Sequence, residues 1–287
     1  MGWYGYLALW CGLFGVVALI GYGRSLAGMT RAQRTVRVVG RIERVGEPRH
    51  GSSPSLGIPV VVSFRDPSTG EEFTVTNDGE RGDRITAAWA GREIGVRYPP
   101  GSPHAFRFTS SLGDGGRGLG RPNFAVFLIY AGVVVVVAVD RGWPWALLGF
   151  AGLWAVSGLY HLPGNIRDVN RRLDTVDSMA AVPGRVVAVI KSVSVADDDG
   201  HVSTRLVPVV AFSTRDGTAV TAYCDSGLPD PAGSRGRDVT IHYAPDDPAV
   251  FTPDPAAERR SCKQDIGYNI LGLLAVVAAT VAGAVAL

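Results

Sequence analysis

Residues 123–162 constrain this chain most. They hold two apolar runs, FAVFLIYAGVVVVVAV and WPWALLGFAGLWAVSGLYHL, separated only by Asp140-Arg141-Gly142. A helix needs about 20 apolar residues to cross a bilayer, and lipid leaves no partner for an open backbone, so such runs enter it as helices. The pair predicts a membrane hairpin with a short outer turn, anchored at the interface by Trp143 and Trp145. Further apolar runs open and close the chain, so the expected spans are 3–22, 123–139, 143–162 and 266–287. Nearly all charge lies in the two polar regions between them.

Aromatic rings mark the ends of the first span: Trp3, Tyr4, Tyr6 and Trp10 at its start, Tyr22 at its close. It has no basic n-region and no small-residue cleavage pattern before Arg24, which argues for an anchor and against a signal peptide. Arg24, Arg31, Arg34 and Arg37 follow the first span. Arg107, Arg117 and Arg121 precede the second, Arg167, Arg171 and Arg172 follow the third, and Arg259, Arg260 and Lys263 precede the fourth. The other side has only Arg141, offset by Asp140. Positive charge beside span ends stays in the cytoplasm, so both polar regions are expected there and both termini outside. The same cations are candidate contacts for anionic lipid.

The formal net charge of +2 and the dispersal of Arg among Asp and Glu argue against a nucleic-acid partner. Cys11, Cys224 and Cys262 form no disulfide or zinc pattern.

Each polar region reads as β-rich. In the first, TVRVVGRIERV (35–45) alternates, IPVVVSFR (58–65) follows a polar loop, a turn at 66–70 leads to 71–76, and 93–98 enters a proline-rich corner. A Gly-rich linker is expected at 109–121. After the hairpin, Asn165 is a candidate cap for an amphipathic surface helix over 165–178, with Ile166, Val169, Leu173 and Val176 near helical spacing. The second region has strand patterns at 185–195, 204–214 and 218–224, separated by Asp-Gly turns.

The regions match in order. Val39-Gly40-Arg41-Ile42 falls on Pro183-Gly184-Arg185-Val186, and Pro59 to Phe64 on Pro208 to Phe212 with one deletion. Gly91-Arg92-Glu93-Ile94 falls on Gly236-Arg237-Asp238-Val239. Tyr98, Pro100, Pro103 and Phe106 fall on Tyr243, Pro245, Pro248 and Phe251. An ordered match over a whole region predicts an internal repeat, with β domains at 34–108 and 181–253. These motifs resemble the bacterial membrane family carrying domain of unknown function 3592, with its V-x-G-x-V, P-x-V-x-F and G-x-x-V-x-V-x-Y-x-P-x-x-P segments. The second copy fits well, whereas the first departs at Pro99-Pro100-Gly101-Ser102. The resemblance implies a membrane-tethered β module and supplies no activity.

Each motif has a structural reading. Gly40 and Gly184 belong where a long strand bends or bulges. Pro59 and Pro208 cannot donate to a ladder and belong at edge or irregular positions. Tyr98 and Tyr243 open proline-fixed corners.

Candidate chemistry is sparse. Asp197, Asp198, Asp199 and His201 could gather a hard cation, yet Asp-Gly is what a hairpin tip requires. Asp246 and Asp247, with His242, form the other candidate, a metal-dependent enzyme corner. His50, His104 and His161 lack metal spacing. Residues 113–120 lack the Lys-Ser or Lys-Thr ending of a phosphate loop, and no nucleophile elbow or zinc-protease motif occurs. The spans carry no ionisable interior residue, only Asn269 near one edge, which argues against a small transporter. Ala275, Ala279 and Gly283, and Ala278, Ala282 and Ala286, form small-residue rows suited to helix packing.

The expected architecture is therefore α+β: four transmembrane helices carrying two repeated, mainly antiparallel, barrel-like β domains. The expected role is non-enzymatic, without cofactor, with membrane lipids and a protein partner or a second copy as partners.

Overall fold

The computed structural model describes residues 3–30, 33–51, 57–77, 83–109, 118–195, 202–225 and 227–287. The chain divides into a helical unit and a β unit.

The helical unit is built on α1 (Trp3–Leu26), α2 (Gly120–Arg141), α3 (Pro144–Ser178) and α4 (Pro255–Val285). All four are long and apolar enough to cross a membrane, and each keeps most of its apolar surface outward. Glycines set the helix contacts. Gly132 of α2 lies against the Trp10 ring of α1, Gly149 of α3 against Val134 of α2, Gly158 of α3 against Leu273 of α4, and Gly283 of α4 against Leu147 of α3. A side chain at Gly283 would meet the α3 backbone itself, and at the others the facing side chain would have to shift, as small residues permit close approach. Polar side chains join α1 to α2: the Trp10 indole N–H donates to Leu128 O at 2.9 Å and the Tyr22 hydroxyl to Asn123 Oδ1 at 2.7 Å.

Three boundaries differ from the sequence expectation. The third span and the surface helix are one helix of 35 residues that runs through Pro163. Asn165 therefore lies inside α3 and caps nothing; the helical spacing of Ile166, Val169, Leu173 and Val176 outweighs the single bond that Pro163 deletes. The last helix starts at Pro255, well before the apolar run. Asp254 caps it, its Oδ1 accepting the Ala257 N–H at 2.9 Å, with proline at the first helical position. The expected linker is trimmed at both ends, because Thr109 ends a strand and Gly120 begins α2.

The β unit holds two antiparallel sheets. The first has the order β3-β2-β1-β5-β6, from β1 (Val36–Val45), β2 (Val60–Arg65), β3 (Glu72–Thr76), β5 (Glu93–Tyr98) and β6 (Arg107–Thr109). The second is a nearly closed, barrel-like sheet of six strands, order β11-β10-β7-β8-β9-β4. It uses β7 (Ala180–Val195), β8 (Val202–Ser213), β9 (Ala219–Tyr223), β10 (Asp238–Ala244), β11 (Asp247–Thr252) and β4 (Ala87–Ala88). β4 comes from the first polar region, yet it pairs with β9, Ala87 opposite Ala222 and Ala88 opposite Thr221.

The core follows the same crossing. One buried cluster joins Ile42, Val62, Phe64, Val96, Tyr98 and Phe108 of the first sheet to Ala188, Ile190, Val207, Val209 and Tyr223 of the second. A second cluster, with Val186, Val210, Phe212, Val220, Ile241 and Tyr243, fills the barrel-like sheet. β7 over 188–190, β8 over 207–212 and β9 over 220–223 thus contribute to clusters on both faces. The two β regions fold around a shared interior.

Candidate functional site

The motif residues occupy matching places in the two sheets. Gly40 lies in β1 between β2 and β5. A Cβ there would come within 2.8 Å of Val62 and 2.9 Å of Val96. Gly184 lies in β7 between β8 and β10, where a Cβ would come within 2.7 Å of Ile241. Both glycines let flanking side chains meet across a central strand, and a bulge follows two residues later in each, at 42–44 and at 186–188. Gly91 N–H donates to Ile42 O at 2.7 Å and Ile42 N–H to Arg92 O at 2.9 Å. Gly236 N–H donates to Val186 O at 2.8 Å and Val186 N–H to Arg237 O at 3.0 Å. Gly91 and Gly236 have φ of 87° and 78°, which an L side chain resists.

The aromatic corners also correspond. Tyr98 packs on Phe64 with ring centroids 5.7 Å apart, and Tyr243 on Phe212 at 5.8 Å. Each tyrosine hydroxyl reaches the turn after the second strand of its sheet. Tyr243 accepts the Arg215 N–H at 2.8 Å. Tyr98 lies beside Asp66, whose carboxylate accepts the Ser68 N–H at 2.8 Å and hydroxyl at 2.7 Å. Those Ser68 bonds hold the Asp66 carboxyl below its ordinary range, while burial and then the Asp66 charge push the Tyr98 hydroxyl up. Pro59 stands just before β2, and Pro208 sits inside β8, where its carbonyl accepts the Cys224 N–H at 2.8 Å. Pro100 is exposed at the first corner with Pro103 opening a short 3-10 turn, and Pro245 is exposed at the second with Pro248 in β11.

Two sets of hydrogen bonds tie the first region to the second. The first is the β4–β9 pairing. The second is a loop contact, in which the Val189 N–H donates to His50 Nδ1 at 3.2 Å and Val189 O accepts the Gly51 N–H at 2.9 Å. Arg92 makes its contacts within the first region, its guanidinium lying 4.7 Å from the Trp89 ring centroid and bonding Ala87 O. Burial pulls its pKa down against the nearby Asp247 charge.

The enzyme corner is occupied by structure. Asp247 Oδ1 accepts the Ala249 N–H at 3.0 Å, fixing the tight start of β11, while Asp246 is exposed in the turn and His242 of β10 stands opposite Thr252 of β11. Among the described residues no three His, Cys, Asp or Glu side chains are grouped to hold a metal ion. His104 packs edge-on against Phe73 and His161 against Tyr160. Asp197, Asp198, Asp199, His201, Arg31 and Arg117 lie outside the described residues.

The cations divide. Arg24, Arg34, Arg167, Arg171, Arg172, Arg260 and Lys263 present exposed side chains, whereas Arg37 is half-buried in β1 and Arg259 bridges Asp177 at 2.7 Å. Of the small-residue row on α4, Gly283 is buried against α3, Ala279 is half-buried, and Ala275 with Ala278, Ala282 and Ala286 is exposed. Asn269, with Asn165, Asp168, Asp265 and Tyr268, lines an open depression between α3 and α4. No protein-family model matches the chain, and no curated protein or solved structure shows significant similarity to it.

Proposed function

We propose that the chain is a non-enzymatic, multi-pass bacterial membrane protein whose duplicated β module forms one binding platform at the cytoplasmic face of the membrane. The observation that carries this reading is the fusion of the two β regions: their apolar interior is shared, so the unit is a single stable body tethered by apolar helices. Duplication, and kinship with the domain of unknown function 3592 modules, is supported by the equal strand order β3-β2-β1-β5-β6 and β9-β8-β7-β10-β11. It is supported further by the equivalent bulges and the equivalent Gly91 and Gly236 bonds. A pair of modules of this size has marginal cores separately, which gives the duplication a physical advantage.

The cytoplasmic placement rests on the cations beside the span ends. Lipid headgroups and a protein partner or second copy are the expected ligands, with no cofactor and no nucleic acid. The Asp246 and Asp247 corner is read as a turn because Asp247 is engaged in holding β11. Single cysteines at Thr69 and Arg235 in the β unit test the sidedness in whole cells. The reading expects protection from an impermeant maleimide until the membrane is opened; labelling of intact cells would refute it.

A further inference from the structure

The two sheets have four outer strands, and three are blunted against further pairing. β6 has three residues and begins with Arg107, β11 begins Asp247-Pro248 with a register shift in its ladder, and β4 has two residues. Short length, charge, proline and bulges are the usual protections of a sheet edge. β3 has neither proline nor bulge, and its one charge is Glu72 at its first position. It runs five residues, alternates Phe73 and Val75 with Thr74 and Thr76, and contains no proline or basic residue. Its counterpart in the second sheet is β9, and there the outer side is covered by β4. Among the described residues, no strand covers the outer side of β3.

Bond parity shows what this edge offers. Asp66 N–H donates to Glu71 O at 2.9 Å, and the register continues Phe64 opposite Phe73 and Val62 opposite Val75. Hydrogen-bonded and non-bonded pairs alternate in an antiparallel ladder, so Phe73 and Val75 bond to β2. The backbone N–H and C=O of Glu72, Thr74 and Thr76 therefore point away from the sheet.

We propose that this edge pairs with the same strand of a second copy, β3 antiparallel to β3 about Thr74, joining two five-stranded sheets. The sequence is self-complementary in that register. Thr74 meets Thr74, Phe73 meets Val75, and Glu72 meets Thr76, so two aromatic and β-branched pairs form and no like charges oppose. The contact is isologous, as a two-fold dimer requires. This inference rests on the platform reading and names its partner; sidedness labelling and the crosslinking below fail independently.

The central Thr74 pair is hydrogen-bonded, which sets its Cα atoms about 5.5 Å apart, within disulfide reach. The full chain carrying Cys11→Ser and Thr74→Cys, oxidised in native membranes, is expected to give a disulfide dimer. Thr109→Cys on β6, the opposite edge of the same sheet, is expected to give none above background. In detergent or nanodiscs the wild-type chain is expected to have dimer mass, and Thr74→Pro to lose it with an unchanged melting temperature, because the Thr74 N–H points away from β2. Thr74→Lys, an edge charge that leaves the backbone intact, is expected to lose the dimer likewise. The proposal is overturned if Thr74→Cys crosslinks no more than Thr109→Cys or only to a different protein, or if both Thr74→Pro and Thr74→Lys keep dimer mass.

Discussion

Val209 and Val210 are adjacent in β8, both fully buried, and face opposite sides of the sheet. Val209 belongs to the cluster shared with Ile42, Val62 and Val96 of the first sheet, whereas Val210 belongs to the cluster inside the barrel-like sheet. Replacing either with alanine removes two methylene equivalents, each worth about 0.8 kcal/mol of burial. The residual cavity adds to this, so the expected cost is roughly 2–3 kcal/mol for each variant. The two should differ in where the loss is felt. Hydrogen exchange followed peptide by peptide in detergent should show Val209→Ala raising exchange in β1, β2 and β5, which lie far from it in sequence. Val210→Ala should loosen β9 and β10 first. If the amides of β1, β2 and β5 keep full protection in Val209→Ala while β8 loses its own, the two β regions are stable separately and the shared core is not cohesive.

Gly184→Ala should destabilise the β unit by about 1–3 kcal/mol, because the new methyl would stand 2.7 Å from Ile241 Cγ1 in a packed interior; a chemical denaturation midpoint reads this, and an unchanged midpoint refutes it. The Tyr223 hydroxyl is buried with no hydrogen-bond partner among the described residues, and burial pushes its pKa from 10.0 to about 12, Asp225 adding and Arg84 opposing. Its folded pKa is the higher one, so the stability it contributes is complete below pH 10 and falls as the pH rises from 10 to 12, by roughly 2–3 kcal/mol. Tyr223→Phe should remove that alkaline loss and leave neutral-pH stability equal or higher, as measured by melting temperature against pH. Asp66 has the opposite sign: its lowered pKa gives stability that is present above the ordinary carboxylate range and lost as pH falls through the folded value, and Asp66→Asn should flatten that acid limb. Asp254→Ala should cost about 1 kcal/mol by uncapping α4, visible as faster exchange of the amides at 256–258.

The spans were legible because a bilayer admits few solutions for a long apolar run, and the helix ends were not. Asp254-Pro255 carries a recognisable cap and first-turn proline, but it lies eleven residues before the apolar run that drew the boundary. The boundary expected between Leu162 and Asn165 is absent because α3 runs through Pro163, although proline disfavours helix in the residue before it. In the β regions the motif residues were legible as turn and core positions. The shared interior had a signal in LVPVVAF at 206–212, an unbroken apolar run of the kind found in strands buried on both faces. IPVVVSF in the first region is nearly as apolar, so run length alone could not say which sheet lies inside. β4 left no trace: Ala87-Ala88 has no pattern a strand requires, and only its partner β9 makes it one.

The bulges explain how one strand serves two cores. Side chains alternate along a strand, and an extra residue reverses the alternation beyond it. In β7, Ala180, Val182 and Val186 face the interior of the barrel-like sheet; after the bulge, Val189 continues on that face while Ala188 and Ile190 turn to the shared cluster. β1 has the same device, with Val36, Val38 and Ile42 before its bulge and Val45 after it on one face. Its other face carries Val39, Arg41 and Arg44, all exposed. The same bulge thus gives a one-sided strand in the first sheet and a two-sided strand in the second. The difference lies in Ala188, which stands where β1 has the exposed Arg44, and in Ile190, which stands where the first region has Gly46 just past β1, so Ile190→Arg should separate the sheets while leaving the Val186 and Val189 face intact. Its signature would be lost protection in β1 and β2 with β10 still protected, and equal loss across all of them would count against two separable faces.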